Sequence, residues 1–393
     1  MNIAIFTNNY LPNPFGVAGS IESFRKEFEK MGHTVYVFAP ETKEYVDNNS
    51  NACSPGRRVF RYPSVDINYK ISFPLAIPCS KRIDKILDDL KIDVIHSQHP
   101  NLLGTAAKKW AKKKSIPLIF TWHTLYDQYA HFVPPVISRK LAAWWAIRNA
   151  RKYANLADFV ITPTDSVKEI IKKWGVANES IVSIPTGIDE KQFEFADGKK
   201  IRNKYGIADD EILLVVITRF TNEKNMEFLF SSVIEVLKKN SKVKFLAGGD
   251  GNLTKNLKEL VDRSSVAGQV IFAGFVSNEI KKDYFSAGDI FVYASKSETQ
   301  GMVISEAMYS GLPVVAVRAT GVEDLVMDGA SGFLVSENEK EFASAVEKLA
   351  SDKELRKRFS ENAKKIAMEN YVSSVCAKKM IEIYEKTIKK KFL

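Results

Sequence analysis

The sequence predicts an α/β protein built from two doubly wound parallel sheets in tandem. Three observations carry that expectation. The 393 residues are too many for one core. Short apolar, β-rich runs alternate with longer helical patterns, the mark of βαβ units. The alternation is interrupted once, by the polar stretch Glu190–Lys204, and then restarts.

The first half offers strands at Asn2–Phe6, Thr34–Phe38, Arg58–Tyr62, Asp93–His96, Leu118–Thr121, Phe159–Thr162 and Ile181–Ile184. Between them the apolar spacing suits helices at Ser20–Lys30, Lys81–Leu90, Leu102–Lys113, Arg139–Tyr153 and Ser166–Lys173. After Ile184-Pro185-Thr186-Gly187-Ile188-Asp189 and the polar stretch, strands recur at Ile212–Thr218, Val243–Ala247, Val270–Phe272, Ile290–Tyr293 and Pro313–Val317. Helices at Met226–Lys239, Leu253–Ser264, Ile280–Ala287 and Met302–Ser310 complete the second sheet. Three closing helices, Glu339–Ser351, Asp352–Glu369 and Val372–Lys391, are expected with no further strand among them. The expected domains are therefore 1–188 with 372–393, the tail crossing back to the first domain, and 189–371.

Cys53, Cys79 and Cys376 are widely spaced and form no CxxC pair, which argues against a disulfide framework or zinc site and fits a reducing cytoplasm. The amino terminus has no basic region ahead of its apolar run, so it reads as a strand rather than a signal peptide. No run approaches the roughly 18 apolar residues of a spanning helix. Any membrane contact is therefore expected to be peripheral.

The net charge is +10, which favours an acidic partner such as a nucleotide phosphate, a nucleic acid or an anionic membrane. It is unevenly placed. Residues 1–188 hold 25 Lys+Arg against 16 Asp+Glu, residues 189–371 hold 26 against 29, and residues 372–393 hold 6 against 2.

In open parallel sheets, ligands sit outside the carboxyl ends of the strands, so the chemistry is sought there. Glu298-Thr299-Gln300-Gly301-Met302 follows a strand and opens a helix that carries Glu306. Gly301 lets a ligand approach the backbone, the helix start offers N–H groups to a phosphate, and both carboxylates face one mouth. The alternative is ordinary helix-start and solvated acids. Arg219 and Lys224, after the first strand of the same domain, are suited to neutralise a leaving diphosphate; otherwise they are surface charge. Gly248-Gly249-Asp250-Gly251 is a turn near that mouth, loosely like a phosphate cradle. In the first domain, Phe15-Gly16-Val17-Ala18-Gly19-Ser20 opens a helix after strand one. His123, in Thr121-Trp122-His123-Thr124-Leu125-Tyr126-Asp127-Gln128-Tyr129-Ala130-His131, stands at a strand's carboxyl end, where a lone imidazole has either a structural or a functional role.

Together these motifs resemble the retaining, nucleotide-sugar-dependent glycosyltransferases of the GT-B fold, group 1 or family 4. The resemblance rests on the Glu298–Glu306 spacing, Arg219 with Lys224, the hinge at Ile184–Asp189 and the Asp328–Val335 segment, and it covers nearly the whole chain. The segments at Thr121–Pro134 and Ser297–Ala307 are most similar to diacylglycerol glucosyltransferases, with phosphatidylinositol mannosyltransferases as neighbours. The resemblance implies two facing Rossmann-like domains separated by a cleft. Glu306 would hold the ribose. Glu298 and Thr299–Met302 (including Gln300 and Gly301) would hold the donor sugar and phosphates. Arg219 and Lys224 would hold the diphosphate, with Gly249 beside them. His123 would sit beside the reacting sugar, its ring or its backbone carbonyl stabilising the transition state, and Gly16 and Gly19 would close over the phosphates from the other domain. Gly16 and Gly19 are separated by Val17-Ala18, whereas the family often has adjacent glycines.

On a helical wheel of Arg139–Tyr153, Ala142, Ala143, Ala146, Ala150 and Tyr153 share one face, and Leu141, Trp144, Trp145, Arg148, Arg151 and Lys152 the other. The second face suits the headgroup layer of an anionic membrane, unless the tryptophans are core. Lys108, Lys109, Trp110, Lys112, Lys113 and Lys114 add to the basic balance, and Ile71–Pro78 reads as an apolar loop. The expected activity is transfer of a hexose, glucose foremost, from a UDP-sugar to a lipid acceptor such as 1,2-diacylglycerol. It is expected to proceed with retention, without a metal, at the cytoplasmic face of the membrane. The alternatives are a soluble or polysaccharide acceptor, a phosphatidylinositol mannosyltransferase, an epimerase, or a nucleotide- or nucleic-acid-binding module. Against nucleic acid, the basic patches lack stacking aromatics on a strand platform, and the paired carboxylates would repel a polyanion.

Overall fold

A computed structural model describes residues 1–13, 16–42, 45, 47, 58–69, 71–126, 138–296 and 298–392. Phe15, Cys53, residues 127–131 of the aromatic segment and Ser297 lie outside the described residues. The chain forms two compact units, Met1–Gly187 with Ser373–Leu393, and Ile188–Val372. The boundaries fall one residue from the expected ones because Ile188 and Val372 bridge to each other in parallel.

In the first unit the elements run β1 (Asn2–Phe6), α1 (Gly16–Lys30), β2 (Thr34–Pro40), β3 (Val59–Tyr62), β4 (Ser64–Tyr69), β5 (Ile71–Ala76), α2 (Lys81–Asp89) and β6 (Val94–Ser97). They continue with α3 (Leu103–Lys114), β7 (Leu118–Thr121), α4 (Arg139–Leu156), β8 (Phe159–Thr162), α5 (Asp165–Lys173) and β9 (Ile181–Ser183). Seven strands make one parallel sheet in the order β3-β2-β1-β6-β7-β8-β9. Successive residues of a strand face opposite sides, and β1 divides its apolar residues accordingly. Ile3 and Ile5 join a core with Ile21 and Phe28 of α1, whereas Ala4 and Phe6 join one with Leu87 of α2 and Trp110 of α3. Burial on both faces explains why these strands read as continuous apolar runs.

The second unit holds α6 (Gly198–Tyr205), β10 (Ile212–Ile217), α7 (Met226–Lys239), β11 (Val243–Gly248), α8 (Thr254–Asp262), β12 (Val270–Gly274) and α9 (Lys281–Ala287). There follow β13 (Ile290–Tyr293), α10 (Met302–Tyr309), β14 (Val314–Val317), β15 (Gly332–Val335), α11 (Glu339–Ser351) and α12 (Lys353–Asn370). Its parallel sheet has the order β12-β11-β10-β13-β14-β15. The last helix, α13 (Ser373–Phe392), belongs to the first unit, where Ser373 donates to Glu27 of α1 at 3.1 Å and Tyr384 packs on Phe28.

Four expectations need correction. A sixth strand, β15, closes the second sheet where none was expected, pairing with β14 from Val314↔Gly332 to Val317↔Val335. Ile71–Pro78 is not a loop, since β5 pairs antiparallel with β4. The polar stretch Glu190–Lys204 contains most of α6. Helix α1 begins at Gly16 rather than Ser20, so Gly16 and Gly19 lie in its first turns.

Candidate active site

Each sheet has one place where neighbouring strands connect in opposite directions, between β1 and β6 in the first unit and between β10 and β13 in the second. Crevices at such switch points are where parallel α/β sheets bind ligands.

At the second unit's switch point, β10 ends at Ile217 and β13 at Tyr293. The chain beyond β10 turns through Asn222–Lys224, ending at Asn225 in the left-handed conformation (φ 55), whose Nδ2 donates to Glu337 at 2.9 Å. This turn delivers Lys224 Nζ to Glu298 Oε1 at 2.5 Å, and Tyr293 donates its hydroxyl to the same oxygen at 2.6 Å. The Lys224 and Glu298 side chains are only 13% and 14% exposed. Burial first, and then the Glu298 carboxylate, push the Tyr293 phenol far above its ordinary range, so it remains a donor. The Glu298 backbone is also fixed: its N–H donates to Thr320 O at 2.9 Å, and a Cβ at Gly321 (φ 74) would come within 2.3 Å of its carbonyl oxygen. Gly301, also left-handed at φ 74, turns the chain into α10. The N–H groups of Met302 and Val303 open the helix without an intrahelical partner, whereas that of Ile304 donates to Gly301 O at 2.8 Å. Thr299 and Gln300, the latter buried, link Glu298 to that turn.

Glu306 lies inside α10 and is 8% exposed. Its carboxylate accepts from Lys281 Nζ of α9 at 2.7 Å. Burial raises its affinity for a proton, and Lys281 opposes that rise. Each carboxylate of the pair thus has its own cation. Arg219 differs from Lys224: its side chain is 61% exposed and pairs with Glu223. The Gly249 N–H donates to Gly274 O at 2.7 Å, and a Cβ there would lie 1.8 Å from Thr218 O. Gly249 therefore permits a close backbone crossing, and its amide is already engaged.

At the carboxyl edge of the first sheet, a small cavity is lined by Ser20, His96, Gln98, Thr121, His123 and Thr186 among others. His96 bonds to Thr121 Oγ1 and to Tyr384 OH of α13, each at 2.6 Å. His123 Nε2 lies 2.6 Å from Gln98 Oε1. Desolvation lowers His96 and His123 to about 3 and His99 to about 4, and the imidazoles of His99 and His96 add to the depression at His123. All three rings are therefore uncharged at neutral pH. Gly16 and Gly19 have no atom within 4 Å of where a Cβ would stand.

On α4 the small residues turn inward, with Ala150 and Tyr153 buried, while Trp144 and Trp145 are 56% and 54% exposed. Arg148 lies over the Trp144 ring, its guanidinium carbon 5.4 Å from the centroid, and Leu141 and Lys152 are exposed beside them. Arg151 leaves this face, its guanidinium packing on Gly175 and reaching Trp174 O at 3.5 Å. Trp110 is fully buried, and three nearby lysines are held locally: Lys109 by Asp84, Lys113 by Asp88, and Lys114 by the carbonyls of Asp88 and Leu90.

Sequence reasoning missed Tyr293, Lys281 and Gln98. Tyr293 ends a strand that was expected and Gln98 lies two residues beyond one, so position at the carboxyl edge was a signal for both. Lys281 carries no comparable signal, because its pairing with Glu306 joins two helices.

Two parallel sheets with these polar switch points are the GT-B architecture, and the chain belongs to the GT-B glycosyltransferases of group 1 and family 4. Residues 16–192 match the sequence model described as Glycosyltransferase Family 4, and residues 197–366 match Glycosyl transferases group 1. The chain is similar to the alpha-monoglucosyldiacylglycerol synthase of Streptococcus pneumoniae, with 31% identity over 94% of this chain and 83% of that protein. It also resembles the enzyme of the same name from Acholeplasma laidlawii, at 29% identity over 98% and 96%. Among solved structures, Anabaena HepE in complex with UDP and glucose superposes with a TM-score of 0.74 at 19% identity, covering 98% of this chain and 99% of that one.

Proposed function

We propose that this enzyme transfers glucose from UDP-glucose to a diacylglycerol-type lipid at a membrane surface, with retention and without a metal. The observation that carries the donor half is the Lys224–Glu298–Tyr293 contact at the β10/β13 switch point. A leaving diphosphate needs positive charge held in a water-poor site. Lys224 supplies it directly, and the more exposed Arg219 has room to swing towards it. In this reading Glu298, held by its backbone and by Tyr293, accepts sugar hydroxyls. Glu306, neutralised by Lys281, accepts a ribose diol.

Two relatives named for making an alpha-glucosyl diacylglycerol favour glucose and a lipid acceptor. UDP-glucose is itself an α-glycoside, so an α-linked product corresponds to retention. In this proposal His123, uncharged, accompanies the positive charge that develops at the anomeric carbon, and Gly16 and Gly19 leave room for phosphates at the start of α1.

The membrane half rests on α4. Trp144, Trp145 and Leu141 form an exposed apolar strip beside Arg148 and Lys152, the pairing that seats a helix in anionic headgroups. No helix among the described residues is long and apolar enough to cross a membrane. The test is incubation with UDP-glucose, other UDP-sugars or GDP-mannose in vesicles containing diacylglycerol or phosphatidylinositol. Glucosyl transfer to diacylglycerol is expected. Transfer from GDP-mannose to phosphatidylinositol, or activity only on soluble acceptors, would overturn the proposal.

A further inference from the structure

We infer that Gln98 is a positioning residue for His123: its side-chain oxygen fixes the ring proton on Nε2 and leaves Nδ1 as an acceptor. The inference rests on the placing of His123 at the reacting sugar proposed above.

Gln98 is the first residue past β6, and its N–H still donates to Phe6 O of β1 at 2.9 Å. The turn beyond it is pinned on both sides. Ser97 Oγ donates to His99 O at 2.8 Å, and Asn8 N donates to His99 Nδ1 at 3.1 Å. Asn8 also accepts from Leu103 N and donates to Asn101 O, both at 3.0 Å. Gly104 belongs to the same clamp, because a Cβ there would come within 1.9 Å of His99 O. Gln98 is 6% exposed and has little freedom to move.

From this fixed base the Gln98 amide crosses to the end of β7 and meets His123 Nε2 at 2.6 Å. An amide oxygen only accepts, so the ring nitrogen facing it must carry the proton. A neutral imidazole has one protonated nitrogen, and the other keeps its lone pair. The titratable groups facing His123 are His96, joined through Tyr384 to α13, and His99; both rings are themselves uncharged, and burial together with these two neighbours disfavours a charge on His123. A lone pair, unlike an imidazolium, is compatible with positive charge gathering at the anomeric carbon. The choice of tautomer therefore bears on catalysis and not only on packing.

The test compares wild type with Gln98→Met, which keeps the length but removes the acceptor, and Gln98→Glu, which keeps an acceptor oxygen. Nitrogen-detected NMR of the imidazoles should show His123 as the Nε2–H tautomer in wild type and in Gln98→Glu, and a mixture in Gln98→Met. In Gln98→Met kcat should fall on the order of 10- to 100-fold, by analogy with removal of a partner that orients a metal-bound histidine. KM for UDP-glucose should stay within about twofold, since the residues proposed to hold the donor belong mainly to the other unit. An Nδ1–H tautomer in wild type overturns the inference, as does a Gln98→Met enzyme with unchanged kcat. His123→Ala separates the two proposals: if it leaves kcat intact, the catalytic placing of His123 fails, whatever the tautomer.

Discussion

Acidification should unfold the first unit well before the second. His96, His99 and His123 are held at about 3, 4 and 3 by burial in the folded chain, whereas exposed imidazoles titrate near 6.5. Below pH 6.5 the unfolded chain therefore binds protons that the folded chain does not. The stabilisation is complete above pH 6.5 and is lost as the pH falls from there towards 3. Each ring removes about 2 kcal/mol between pH 7 and pH 5, and the three together about 5 kcal/mol once the partial exposure of His99 and His123 is allowed for. That is comparable with the whole stability of a typical domain. All five histidines and all five tryptophans lie before residue 188, so tryptophan fluorescence in urea follows the first unit alone, while the second contains no histidine. His96→Gln should remove about a third of the pH dependence. A first unit whose urea midpoint stays level between pH 7 and 5, or a His96→Gln variant with an unaltered slope, would refute the uncharged cluster.

Lys224→Met strands a buried carboxylate; it should cost about 3 kcal/mol and lower kcat/KM by about 10²- to 10³-fold. Calorimetry of the double variant Lys224→Met/Glu298→Gln should recover stability, while the transfer assay recovers no rate. Gly249→Ala should destabilise the second unit severely, because its Cβ would collide with Thr218 O. Gly16→Ala has open space at the start of α1 and should leave the melting temperature nearly unchanged, so any loss of rate in that variant reports contact with the donor. Replacing both Trp144 and Trp145 by Ser should abolish sedimentation with anionic vesicles, and wild-type binding should weaken as salt screens Arg148 and Lys152. Excess EDTA should leave the transfer rate unchanged, and a loss restored by magnesium or manganese would contradict a metal-free mechanism.

Much of the fold was legible because parallel strands buried on both faces announce themselves as apolar runs, as Ile3–Phe6 and Leu213–Ile217 do. β15 escaped because Gly332-Phe333-Leu334-Val335 is short, glycine-led and only alternately buried, so it depends on β14 to exist as a strand. The wheel of α4 was right about Trp144 and Trp145 but wrong about Arg151, because a long side chain can leave its face for a carbonyl on another segment. At the site, Glu298, Glu306 and Lys224 stood out by spacing and by position at strand ends. Their partners arise from tertiary approach. Nothing local in Lys281-Lys282 distinguishes the lysine that meets Glu306 from its neighbour, whose ammonium instead reaches Glu194 O.

Retaining transfer of glucose to a diacylglycerol is read from the anomeric configuration of the product formed from UDP-glucose in diacylglycerol vesicles, by proton NMR of the purified lipid. α-Glucosyl diacylglycerol is expected, formed by wild type and lost in Glu298→Ala. A β-linked product, or no transfer to lipid while glucose passes to a soluble acceptor, would contradict it.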